Sequence, residues 1–201
     1  MKKNSHRSKI LSMLTLTMLG LNATSAVAEE FPGQKLSDYR NTVKALGGAL
    51  KAELGAGMKA GGPMAALAIC NDKAATITDD VSKKQTQDIS RISLKPRNPK
   101  NTPDKWEMAM LKDFEQRKAK GEDPVKMEAS LVTEGEAGYQ EFRYMKAIPT
   151  QPVCLKCHGT EIPPNVQKQI NALYPDDKAT GFKAGDIRGA FSVHEVITPK
   201  Q

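Results

Sequence analysis

Cys154-Leu155-Lys156-Cys157-His158 is the one stretch of the chain whose residue types and spacing name a piece of chemistry. Two cysteines separated by two residues and followed at once by histidine read as a c-type haem attachment site. The thiols of Cys154 and Cys157 add across the haem vinyl groups to give thioethers. His158 is then placed to put an imidazole nitrogen on the iron as the proximal ligand, so the expected cofactor is one covalent haem c.

The rival readings of the pattern are a thioredoxin-like dithiol, a structural disulfide, or half of a metal site. Compartment decides between them. Lys2, Lys3, Arg7 and Lys9 form a basic leader, Ile10 to Leu21 is an apolar run, and Ala26-Val27-Ala28 has the form of a cleavage site. That is the pattern of a secretory signal peptide over 1–28, cut after Ala28, with a single haem domain over 29–201 and a periplasmic location. The apolar run is short of the roughly 20 residues a membrane span needs, so no transmembrane segment is expected in the mature chain; left uncut, the leader would act as an anchor.

Charge narrows the partners. The full chain has 30 basic and 23 acidic side chains. Without the four basic residues of the leader the balance is 26 against 23, a surface that gives no reason to expect nucleic acid. A redox partner is expected, its identity and the oligomeric state left open by the sequence. Only 5% of residues are aromatic, so the core must come from Leu, Ile, Val, Met and Ala, and a large flat haem would add much of the apolar contact area.

The iron also has a sixth position. Candidates are Cys70, His194 and the methionines Met58, Met64, Met108, Met110, Met127 and Met145. Methionines serve mostly as core filler, and a lone histidine is usually a surface or hydrogen-bonded residue. Cys70 is the one cysteine left once the haem takes two; it is either a buried, inert small hydrophobe or a ligand.

These residues must be held by the elements around them. Leu36, Tyr39, Val43, Leu46, Leu50, Leu54 and Met58 recur at helical spacing, and Gly55, Gly57, Gly61 and Gly62 stop that helix. A second helix begins at Pro63 and carries Ala66, Ile69, Cys70, Lys73, Ile77 and Val81 on one face; its Ala- and Gly-rich start suits a close backbone approach. Ile89 to Leu94 alternates as a strand, and Thr102 or Asp104 caps a helix bearing Trp106, Met110, Leu111 and Phe114. Val125 to Thr133 and Ala137 to Ile148 form a hairpin turning around Glu134, Gly135 and Glu136, a short helix carries Val166, Ile170 and Leu173, and Asp186 to Ile197 is the last strand. Helices followed by an antiparallel sheet make an α+β class, which small all-helical cytochromes do not match.

Three separated segments carry a more specific signal. Ser93-Leu94-Lys95-Pro96-Arg97-Asn98-Pro99, the Cys-Leu-Lys-Cys-His-Gly motif, and Tyr174-Pro175-Asp176-Asp177-Lys178-Ala179-Thr180-Gly181-Phe182 followed by Gly185 to Val193 resemble the Tll0287-like haem domain family over roughly residues 36 to 198. The resemblance implies a PAS-like fold, an antiparallel sheet flanked by helices with covalent haem between sheet and N-terminal helices. It also implies iron bound by His158 and by a Cys70 thiolate.

Both axial positions would then be filled. The expectation is a non-enzymatic mono-haem protein that passes one electron or reports redox state. The alternative is a gas or redox sensor in which Cys70 dissociates, and a peroxidase-like enzyme ranks below both for want of a distal His and Arg pair. Arg91, Lys95, Arg97 and Arg188 are possible partners of the haem propionates. Asp176, Asp177 and Asp186 read as capped turns rather than a metal site.

Overall fold

The computed structural model describes residues 32–135 and 138–198. The expected leader lies outside them, as do Glu136 and Ala137 of the expected hairpin and both ends of the expected 29–201 domain.

Helix α1, Gly33–Gln85, is two arms joined at a break, where Gly61 (φ −169°, ψ 24°) and Gly62 (φ 67°, ψ −154°) leave helical geometry just before Pro63. The conformation of Gly62 is one that side-chain-bearing residues do not adopt, so the turn is written by the glycine. The arms touch at Gly57: a Cβ there would lie 2.5 Å from Cα of Ala66. The close approach expected at the start of the second arm is therefore one arm meeting the other. The second arm differs from its expected face in two places. Leu67 is buried, whereas Lys73 is exposed and reaches across to Glu53 at 3.0 Å.

Four strands follow: β1 Asp88–Ile92, β2 Glu128–Glu134, β3 Gln140–Pro149 and β4 Ile187–Ile197. They form one sheet in the order β1-β4-β3-β2, with every pair antiparallel. The β2–β3 hairpin is the expected one, although β2 starts later than expected, at Glu128, leaving Val125 exposed. Helix α2, Lys105–Ala119, is capped by Asp104 in a capping box with Glu107. That choice follows from spacing, since Glu107 stands three residues on and reaches back to the Asp104 N–H at 2.9 Å.

Alternation along the strands sends side chains to two cores. One face buries Phe142, Tyr144, Ile89 and Val193 against Tyr39, Val43 and Leu46 of the first arm, with Ile77 and Val81 of the second packed beside them. The other buries Met145, Ala147, Ile92, Ala190 and Met127 against Leu111 and Phe114 of α2. Each large side chain so buried contributes about 1.5–3 kcal/mol. This is the α+β architecture expected, an antiparallel sheet with helices on both faces. No helix among the described residues is long and apolar enough to cross a membrane.

Between β3 and β4 lie a 3-10 turn at Pro152–Cys154, α3 at Leu155–His158 and α4 at Pro164–Leu173. Val166 and Ile170 of α4 pack on Leu67, with Met64, Cys157 and Tyr174 around them. The tip of the helical hairpin thus clasps the segment that carries the cysteine pair.

Candidate functional site

Cys154 ends the 3-10 turn, and Cys157 and His158 end α3, so the whole motif is wound into consecutive short turns. All three thiols, Cys70, Cys154 and Cys157, are free and half-buried. Burial pushes the Cys157 thiol up, and so does Cys70, which is close enough to be felt there. Folding has brought Cys70, from the far half of the chain, to the motif.

His158 is fixed by its backbone neighbours. Its Nδ1 lies 2.7 Å from the carbonyl of Ala179, which only accepts, so Nδ1 carries the proton and Nε2 keeps its lone pair. Phe182 meets the imidazole edge-on, with ring centroids 6.4 Å apart. Burial, followed by the charges of Arg188 and Arg97, pushes His158 down to about 3. The ring is therefore neutral at any physiological pH, which is the state that donates to a metal.

The three segments carrying the family resemblance converge here. Arg97, buried, donates through Nε and Nη2 to the two carboxylate oxygens of Asp177 at 3.1 and 3.0 Å. The same Nη2 donates to the carbonyls of Cys157 at 2.6 Å and Ala179 at 3.3 Å. Asp177 in turn accepts from the N–H of Ala179 at 2.8 Å, which positions the carbonyl that holds His158. The N–H groups of Phe182 and Gly181 donate to the carbonyls of His158 and Gly159, both at 2.9 Å. Asp177, Ala179 and Phe182 were not expected as site residues. Ala179 acts through its backbone, on which side-chain type is silent, although all three lie inside one resemblance segment.

The four expected cations separate. Lys95 is exposed, donates to the Thr180 carbonyl at 2.6 Å and lies over the Phe182 ring. Arg97 is the clamp just described. Arg91 and Arg188 are half-buried, and burial lowers both, Arg188 to about 10.

The candidates for the sixth position also separate by place. Met127 and Met145 belong to the core on the α2 face, Met110 packs against it, and Met108 is exposed on α2. His194, on β4, stands beside Glu141 with Nε2–Oε1 at 2.9 Å. Met64 packs near Cys157 and Met58 is half-buried near the hairpin tip. Cys70 lies within electrostatic reach of Cys157, Arg91 and Arg97, and burial raises its thiol while Arg91 opposes the rise. Among the described residues no cluster of three or more His, Cys, Asp or Glu is arranged for a metal ion.

The residues present fit a haem c. They offer a reduced cysteine pair at the right spacing, an imidazole locked with Nε2 available, a thiol brought near, arginines close enough to act on that imidazole, and an apolar cluster of Leu67, Val166 and Ile170 around Cys157.

The family model described as Tll0287-like matches residues 6–195. The crystal structure of the cyanobacterial heme-protein Tll0287 superposes with a TM-score of 0.58 at 21% sequence identity, covering 85% of this chain and 99% of that one. No curated protein matches the chain.

Proposed function

We propose, from the premise that this chain belongs to the Tll0287-like family, that it is an exported mono-haem c-type cytochrome. Cys154 and Cys157 would carry the thioether bonds, His158 would bind the iron through Nε2, and Cys70 would supply a second protein ligand as a thiolate. Haem c held in this way supplies a one-electron ferric/ferrous couple. Cys70 donates electron density that favours the ferric state, so the potential is low compared with a His/Met pair. His158 and Cys70 together would leave the iron no open position for a substrate, so the role is electron transfer or redox reporting to a partner protein rather than catalysis.

The single observation that carries this reading is the Ala179 carbonyl holding His158 Nδ1 at 2.7 Å, which leaves the Nε2 lone pair free beside two unbridged cysteines. Support for Cys70 comes from its placement near Cys157.

The break at Gly61 and Gly62 favours a second reading. Cys70 rides on the arm beyond that break, and an arm with a hinge at one end is suited to move when its ligand lets go, as a gas or redox sensor requires.

The test is electron paramagnetic resonance of the ferric protein beside Cys70→Ala, made in cells competent for cytochrome maturation. A low-spin thiolate signal that the substitution abolishes is expected. A chain at its bare mass with no Soret band overturns the haem reading, and a signal unchanged in Cys70→Ala overturns the thiolate. Rapid carbon monoxide uptake on reduction, with loss of the thiolate signature, selects the sensor over the carrier.

A further inference from the structure

We propose that Arg91 and Arg188 are the two propionate-binding residues of the site, each pairing with one haem carboxylate, while Arg97 and Lys95 serve the protein's own backbone. This rests on the haem reading above and goes beyond it by assigning the acidic edge of the cofactor to named side chains.

The argument is a balance of charges and hydrogen bonds. Three guanidiniums stand close enough to His158 to act on it: Arg188, Arg97 and Arg91. Arg97 has a protein carboxylate, Asp177, and two carbonyls besides. Lys95 is exposed, with its ammonium on the Thr180 carbonyl and over the Phe182 ring. The other two have no carboxylate hydrogen-bonded or ion-paired to them among the described residues; Asp177, already held by Arg97, reaches Arg188 only through space.

Arg91 follows Ile89 by two along β1, so it shares the face that packs against α1, and it stands opposite Phe191 in the register. Its guanidinium has no hydrogen-bond or ion-pair partner among the described residues, and the ionisable groups that feel it or act on it are Cys70, Tyr174, His158 and Arg188, none of them a carboxylate. Arg188 is the residue left over where the β3–β4 pairing steps from Ile148–Gly189 to Pro149–Ile187. Such a bulge re-aims a side chain out of the alternation, and bulges gather beside functional sites. Arg188 Nη1 donates to Ser93 Oγ at 3.1 Å and to the Lys95 carbonyl at 3.3 Å, both neutral, and its carbon end lies 5.3 Å from the Phe182 ring centre. Nε and Nη2 have no partner among the described residues.

Two guanidiniums partly withdrawn from water, neither with a paired counter-ion among the described residues, are costly to fold around. A haem brings two carboxylates, and the planar fork of arginine matches a carboxylate in geometry and charge. Two stand unpaired on each side, beside the histidine that binds the iron.

The test uses holo-protein, with covalent attachment first checked by intact mass. A bare-chain mass overturns the haem reading itself, a result distinct from anything below. Arg91→Met, Arg188→Lys and Lys95→Met are compared with wild type by redox titration at pH 8 and by the propionate bending bands in resonance Raman. Each arginine variant is expected to shift a propionate band. Arg91→Met also lowers the potential, because removing a positive charge near the iron favours the ferric state. Lys95→Met leaves the bands in place. Unchanged bands in both arginine variants that keep their haem and their ferric spectrum overturn the assignment, as does an equal shift in Lys95→Met. A wild-type holo crystal structure needs no variant: propionate oxygens within about 3 Å of both guanidiniums are expected, and propionates in solvent away from both overturn it.

Discussion

Arg97 and Asp177 are joined by two parallel bonds, Nε–Oδ1 at 3.1 Å and Nη2–Oδ2 at 3.0 Å, with their side chains only 10% and 5% exposed. Through Cys157 and Ala179 this pair ties the Cys154–His158 segment to the loop that orients His158. Asp177→Asn keeps the shape but leaves the Arg97 charge buried without its counter-ion. A loss of about 3–5 kcal/mol is expected in denaturant unfolding, together with a lower yield of haem-bearing protein. A loss under about 1 kcal/mol would show that water reaches the pair.

The contact of Gly57 with Ala66 sets where Cys70 can be. Gly57→Val must push the two arms apart, since even a Cβ would lie 2.5 Å from the Ala66 backbone. We expect a cost of about 1–3 kcal/mol and a ferric spectrum in which thiolate and non-thiolate species coexist. A spectrum identical to wild type would separate the hairpin from the ligand.

Replacing the proposed thiolate by a neutral donor raises the potential. In Cys70→His the anionic charge that favours ferric iron is gone, so reduction becomes easier at every pH. Equilibrium titration of the holo-protein checks this, and an unaltered potential would place Cys70 off the iron.

Glu128 is among the carboxylates that make stability depend on acid. Arg40 first, and then the Tyr144 hydroxyl at 2.8 Å, hold its carboxylate below the usual range against the opposing effect of burial. A folded-state pKa below the unfolded value of about 4.3 contributes stability that is full above that value. The contribution is lost as pH falls through the lower, folded pKa. In Glu128→Gln the slope of unfolding free energy between about pH 5 and pH 2 should be shallower than in wild type, measured by urea unfolding at each pH. Equal slopes would show that Glu128 titrates alike in both states.

Much of the fold was legible because its signals are local. The 3.6-residue spacing of Leu36 to Leu50, Pro63 after two glycines, the capping pair Asp104 and Glu107, and the alternation through Phe142 to Met145 each encode their element within a few residues. Where a reading missed, the deciding contact was distant. Lys73 was placed on a buried face by spacing, yet it turns outward because Glu53 of the other arm offers a counter-charge.

The site divides in the same way. By itself the sequence determined which pentapeptide is the candidate for haem attachment, since that pattern is complete within five residues, and the α+β class, since periodicity is written along the chain. Only the tertiary structure decided which cations are free. Arg91, Lys95, Arg97 and Arg188 are alike as cations, but Asp177 pairs with Arg97, Lys95 is exposed, and Arg188, at a bulge, and Arg91, on a strand face, have no paired carboxylate among the described residues. The state of His158 was decided in the same way, because a backbone carbonyl some twenty positions on, and not any side chain, fixes which nitrogen carries the proton. Charge pairing and tautomer depend on what lies within a few ångströms, and that is set by the packing of segments far apart in the chain.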